Sequence, residues 1–179
     1  MKLRLLPVVI TVLLSSGVLF GGWFAYQSFA MEDPFLEKVA AVEGIAGEPV
    51  VEIQREQAVV RVTLEPGASL RETYRAIVEA GASSLGDREI VVEASNESSE
   101  ALEAWWSGAL FDVAQAMETK QYSAIPQRLR ELAEANGSTM QVKTEMDDTN
   151  VYISLTDGPN SKHVILPRQA AMMGVWPNE

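Results

Sequence analysis

Residues 140–166 read MQVKTEMDDTNVYISLTDGPNSKHVIL, and three short runs in them alternate or cluster apolar side chains between polar turns. Met140 to Thr144, Val151 to Leu155 and Val164 to Leu166 fit strands, because branched and aromatic residues suit a pleated surface. Asp147-Asp148-Thr149-Asn150 and Asp157-Gly158-Pro159-Asn160 supply the residues that tight turns favour. Strands joined this closely pair antiparallel. The end of the chain is therefore a sheet in search of a cover.

The cover lies just upstream. Leu102, Trp106, Ala109, Leu110, Val113 and Met117 recur at helical spacing between about Glu97 and Lys120, and Ser95-Asn96-Glu97-Ser98-Ser99 offers oxygens for the helix start. A second helix carries Ile125, Leu129, Leu132 and Ala133 and ends at Asn136-Gly137, a pair suited to a left-handed cap.

Further upstream, Val51 and Ile53 alternate with Glu52 and Gln54, and Val60, Val62 and Leu64 alternate with Arg61 and Thr63, as in two strands joined near Arg55-Glu56-Gln57. Ser69-Leu70-Arg71-Glu72 is a capping box opening a helix with Leu70, Tyr74, Ile77 and Val78 on its apolar face and Gly81 as its close. Ile90 to Val92 form one more strand. The order β-β-α-β-α-α-β-β-β predicts an α+β fold with helices on one face of a largely antiparallel sheet, spanning 48–168 as one domain. Residues 169–179 form a C-terminal tail with Met172, Met173, Val175 and Trp176.

At the other end, residues 5–31 carry no charged side chain. Leu5 to Tyr26, as a helix, would be a rod of about 33 Å, enough for a hydrocarbon layer of ~30 Å. The expected layout is a cytoplasmic N-terminus at 1–4, a transmembrane anchor at 5–31 and a linker helix at 32–47 opened by Asp33-Pro34. Lys2 and Arg4 before the run, and Glu32, Asp33 and Glu37 after it, place the C-terminal domain outside the cell. Trp23, Phe24 and Tyr26 suit an interfacial belt. The alternative is a signal peptide cut after Ala30, for which Ser28-Phe29-Ala30 has the right small residues. Gly17 and Gly21 form a small-xxx-small pair through which two such helices could dimerise.

All 25 acidic residues follow Met31, against 14 basic residues in the whole chain and a net charge of −11. Such a surface repels phosphate backbones and argues against nucleic acid as a partner. There is no Cys, so disulfides and thiolate zinc sites are excluded, and His163 is the single imidazole.

Four features bear on chemistry. Trp105-Trp106 could grip a ligand, but adjacent helical residues point about 100° apart, which leaves Trp105 as a ligand or interface contact and Trp106 in the core. Glu145, Asp147, Asp148 and Asn150 gather oxygens without the EF-hand spacing and read as a solvated hairpin tip. His163 lacks a G-x-S-x-G serine and reads as a surface or edge-strand residue. Neither G-x-G-x-x-G nor G-x-x-x-x-G-K occurs. No catalytic residue, cofactor or metal ligand is assigned.

The basic N-terminus, the apolar run, the acidic domain and the ending Asn150-Val151-Tyr152-Ile153-Ser154-Leu155 … Val164-Ile165-Leu166-Pro167-Arg168 together resemble uncharacterised single-span envelope proteins of Gram-positive spore-forming bacteria. The resemblance implies a place beyond the membrane and no activity. The expectation is a non-enzymatic, membrane-anchored module that binds envelope proteins or itself. The alternative is a cell-wall ligand-binding or hydrolytic domain using Trp105 or the acidic residues near Asp147 and Asp148.

Overall fold

A computed structural model describes residues 5–27, 33–135 and 140–168 of the chain, with side chains in the first helix described over 9–22. Among the described residues the elements run α1 (Leu5–Gln27), α2 (Asp33–Ala40), β1 (Ile45–Ile53), β2 (Gln57–Leu64), α3 (Leu70–Ala82), β3 (Glu89–Ala94), α4 (Glu100–Glu118), α5 (Ala124–Ala135), β4 (Gln141–Met146), β5 (Asn150–Asp157) and β6 (Asn160–Pro167). After α2 this is the element order expected. The single sheet is not: the strands form two three-stranded sheets, ordered β1-β2-β3 and β4-β5-β6, in a mixed α+β fold. Alternation within a strand fixes which side is buried but not which strands become neighbours, so one sheet and two read alike in the sequence.

The membrane span is also corrected. Among the described residues, no helix is long and apolar enough to cross a membrane. The transmembrane anchor, the single-pass membrane location with its outside domain and the membrane as a partner are therefore withdrawn. The flanking charges at 1–4, the cleavage position at Ala30, the cap at Asn136-Gly137 and the tail at 169–179 lie outside the described residues. Gly17 and Gly21 stand in open space, where an added Cβ would meet nothing within 4 Å.

The chain divides into two compact units, Met1–Val62 with Arg75–Glu93 and Thr63–Tyr74 with Ala94–Glu179. In the first, α2 packs on β1, and Phe35, Val39, Val51, Ile53, Val60, Val62 and Ile77 are buried. Arg61 on the central strand reaches Glu52 at 2.6 Å and Glu93 at 2.9 Å, one on each neighbouring strand. Gly81 does not close its helix, since α3 continues to Ala82. A side chain there would run into Ile90, so the glycine leaves room for the Ile90 side chain of β3.

The second unit is a sheet with two unlike faces. β5 is central and antiparallel to both neighbours. Val151, Ile153 and Leu155 point to one face and join Leu102, Trp106, Ala109 and Val113 of α4 and Ile125, Leu129 and Ala133 of α5 in a single core. Each fully buried branched residue there contributes about 1.5–3 kcal/mol of transfer free energy. Ser99 caps α4, its hydroxyl accepting the Leu102 N–H. On the opposite face Tyr152 is buried with Leu64 and Leu70, and its ring lies 5.5 Å from that of Tyr74.

Candidate functional site: a polar cleft on the second sheet

Antiparallel partners share a face, so register decides which distant residues become neighbours. Lys143 pairs with Ser154 and Ser154 with His163; Gln141 pairs with Thr156 and Thr156 with Ser161. Two polar rows thus cross the sheet on the side turned away from α4 and α5. The second row continues past the β6 edge, because Ser161 forms an antiparallel bridge with Glu97 and donates its N–H to the Glu97 carbonyl at 3.0 Å.

These seven side chains line a cleft of about 450 Å³. Its walls are the 63–68 segment, with Leu64, Pro66 and Ala68, and the β5–β6 turn at Gly158-Pro159. Gly158 adopts φ 58°, a left-handed conformation that glycine enters without a Cβ clash. The size falls within the range of small-ligand pockets.

Inside the cleft, Ser154 is buried and its Oγ lies 3.1 Å from His163 Nδ1. The His163 backbone N–H donates to Asn96 Oδ1 at 2.7 Å, which ties the edge strand to the 95–97 segment. Burial lowers the His163 pKa from its ordinary value, because it disfavours the charged imidazolium. Lys143 donates to the Ala68 carbonyl at 3.5 Å and lies 3.8 Å from Glu145. That carboxylate is already engaged: Ser69 Oγ donates to both its oxygens at 2.9 and 3.0 Å, and Arg71 lies 3.9 Å away. Lys143 is 46% exposed.

The turn at 147–150 does other work. Asp147 Oδ1 accepts from the Thr149 N–H, the Thr149 hydroxyl and the Asn150 N–H, and Oδ2 accepts from the Tyr152 hydroxyl at 2.6 Å. Burial alone would raise the Asp147 pKa; the hydrogen bonds from Tyr152, Asn150 and Thr149 outweigh it and bring it down to about 2. The Asp147 carboxylate is thus tied into internal hydrogen bonds rather than free. Among the described residues, no group of three His, Asp or Glu side chains is placed to hold a metal ion.

Trp105 is half-buried against the α4–α5 core and Trp106 is buried within it. Both stand on the face of the sheet opposite the cleft. The sequence gives His163 only as a surface or edge-strand residue and does not single out Lys143, Ser154 or the Gln141–Thr156–Ser161–Glu97 row. The available signal was the alternation of β5, whose Tyr152, Ser154 and Thr156 stand between Val151, Ile153 and Leu155.

No family model, no curated protein and no solved structure matches this chain.

Proposed function

We propose that the second unit is a non-catalytic binding module that takes a small hydrogen-bonding ligand on the polar face of its sheet. The observation that supports this is the pair of cross-strand polar rows flooring a cleft of about 450 Å³. Hydroxyl, amide and imidazole groups there both donate and accept, and none of Gln141, Thr156 or Ser161 spends its side chain on a partner within the described residues. A protein partner of ordinary size needs about 800 Å² of surface, apolar at its centre. The cleft floor has neither quality.

Titrating the isotopically labelled full chain with a panel of polar small molecules tests this reading by amide shift perturbation. Shifts should concentrate at Ser154, Thr156 and Ser161 and vanish in Thr156→Val. Perturbations scattered elsewhere, or unchanged in that variant, overturn it.

The 3.1 Å approach of Ser154 Oγ to His163 Nδ1 favours a second reading, a serine hydrolase with the imidazole as base. Against it, no carboxylate orients the His163 ring among the described residues, whereas Ser–His chemistry relies on that third group. Turnover of p-nitrophenyl acetate that disappears in Ser154→Ala would establish it; equal rates in both proteins would dismiss it.

A further inference from the structure

A second depression lies on the helical face of the same sheet, between α4 and the last residues of β6. Leu110, Val113, Ala114, Met117, Leu166 and Pro167 line a groove of about 290 Å³, and Glu118 is the charged residue among the described ones at its wall. Leu110 is 43% exposed and its neighbour Phe111 81%. Val113 belongs to the α4–α5 core, and Met117 and Leu166 pack against it, so the groove is a gap in the helical cover that reaches down to the core. A contiguous apolar opening of this kind marks a place where something docks.

We propose that this groove is the docking site of the chain's own C-terminal segment, residues 169–179, with Trp176 as its anchor. The proposal is independent of the polar cleft, which lies on the opposite face. Residues 169–178 carry no charged side chain and include Met172, Met173, Val175 and Trp176, a composition suited to an apolar groove rather than to water. Methionine fills irregular apolar gaps, and tryptophan is enriched among the residues that anchor interfaces. The segment begins at the rim of the groove. Leu166 and Pro167 are wall residues, and Arg168 beside them is pinned: its N–H donates to the Thr149 carbonyl at 2.7 Å and its guanidinium lies 4.8 Å from the centre of the Tyr122 ring. From Arg168 to Trp176 the chain can extend about 27 Å, whereas α4 from Leu110 to Glu118 is about 12 Å long, so reach is ample. Tethering decides between this occupant and a second copy. A linked segment meets its site at an effective concentration on the order of millimolar, whereas a separate chain must first offset its lost translational and rotational freedom.

The test is NMR on the full chain with isotope-labelled methyl groups and tryptophan rings. The Trp176 ring should show NOEs to the methyl groups of Leu110, Val113, Met117 and Leu166. A mixture of labelled and unlabelled chains, filtered for contacts between copies, should show none of them. Ala114→Glu places a charge at an exposed position of the groove wall and should erase the NOEs. Ala104→Glu, at an exposed position ten residues earlier on α4, should leave them intact. Trp176→Ser tests the same contact from outside the described fold: the methyl signals of Leu110 and Met117 should shift as the ring current is lost, with the circular dichroism of the chain unchanged. NOEs that are absent or that appear between copies, or methyl signals that ignore the loss of Trp176, overturn the proposal.

Discussion

The two faces of β5 do opposite things with the same stretch of chain. Val151, Ile153 and Leu155 lie under α4 and α5 and are buried, whereas Ser154 and Thr156, one residue out of phase, floor an open cleft. Because side chains alternate at period two, the strand can hold the fold with one face and present hydrogen-bonding groups with the other, with no residue asked to do both. The division should show in mutagenesis. Ile153→Ala removes a fully buried branched side chain from the centre of the core and should cost about 2–5 kcal/mol, read from the denaturant midpoint. A loss below ~1 kcal/mol would mean that the helical face is not the stabilising one.

Tyr152 complicates the comparison, since it lies on the cleft face yet is buried. Its ring packs on Leu64, Leu70 and Tyr74, and its hydroxyl donates to Asp147. Burial first, and then the Asp147 hydrogen bond, pushes the Tyr152 phenol pKa well above its ordinary value, so it remains a donor across the working pH range. Tyr152→Phe keeps the ring and removes the donor, and should cost about 1–3 kcal/mol. It should also change the response to acid. Asp147 has a folded pKa of about 2, below its unfolded value of ~3.9, so its contribution is fully present above pH ~4 and is lost as the pH falls toward 2. Without the Tyr152 donor the folded pKa rises and that contribution shrinks. Circular dichroism across pH 5 to 1.5 should place the acid transition of Tyr152→Phe at higher pH than that of the parent; coincident curves would show that the hydroxyl does not hold the carboxylate.

What was legible in the sequence follows the range of the interaction. Apolar spacing located each strand and helix after residue 44, because Val151, Ile153 and Leu155 or Leu102, Trp106, Ala109 and Val113 reveal their buried side within one element. Gly81 was misread because its reason is a tertiary approach to Ile90, which helix chemistry cannot show. The partition into two sheets was equally hidden, since alternation in β3 and β4 is silent about whether they pair. The cleft needed more still: Lys143, Ser154 and His163 are distant in the chain and meet only through two registers, and Glu97 joins them through a single bridge. At 147–150 the oxygens are visible, but not that Tyr152 and the turn's own N–H groups consume those of Asp147.

The helical cover gives a smaller effect on the same side of the comparison. Ser99 accepts the Leu102 N–H at 3.2 Å at the start of α4, and Ser99→Ala leaves that donor to water. A loss of about 1 kcal/mol is expected, with ligand binding at the cleft unchanged. A drop in cleft binding without a stability loss would show that the two faces are coupled through α4 rather than separable.

The smallest stability effect should accompany the largest effect on recognition. Thr156 is exposed at the centre of the Gln141–Thr156–Ser161 row and its hydroxyl serves nothing within the described chain. Thr156→Val keeps the branched shape that a strand favours, so stability should stay within ~0.5 kcal/mol of the parent. Binding should nevertheless fall, because a ligand group that had met the hydroxyl would face a methyl and be left without its partner. Thermal unfolding and the small-molecule titration on the same sample read the two quantities side by side. If the substitution lowered stability and binding together, the polar face would be part of the scaffold, and the separation of labour along β5 would fail where it is most exposed to test.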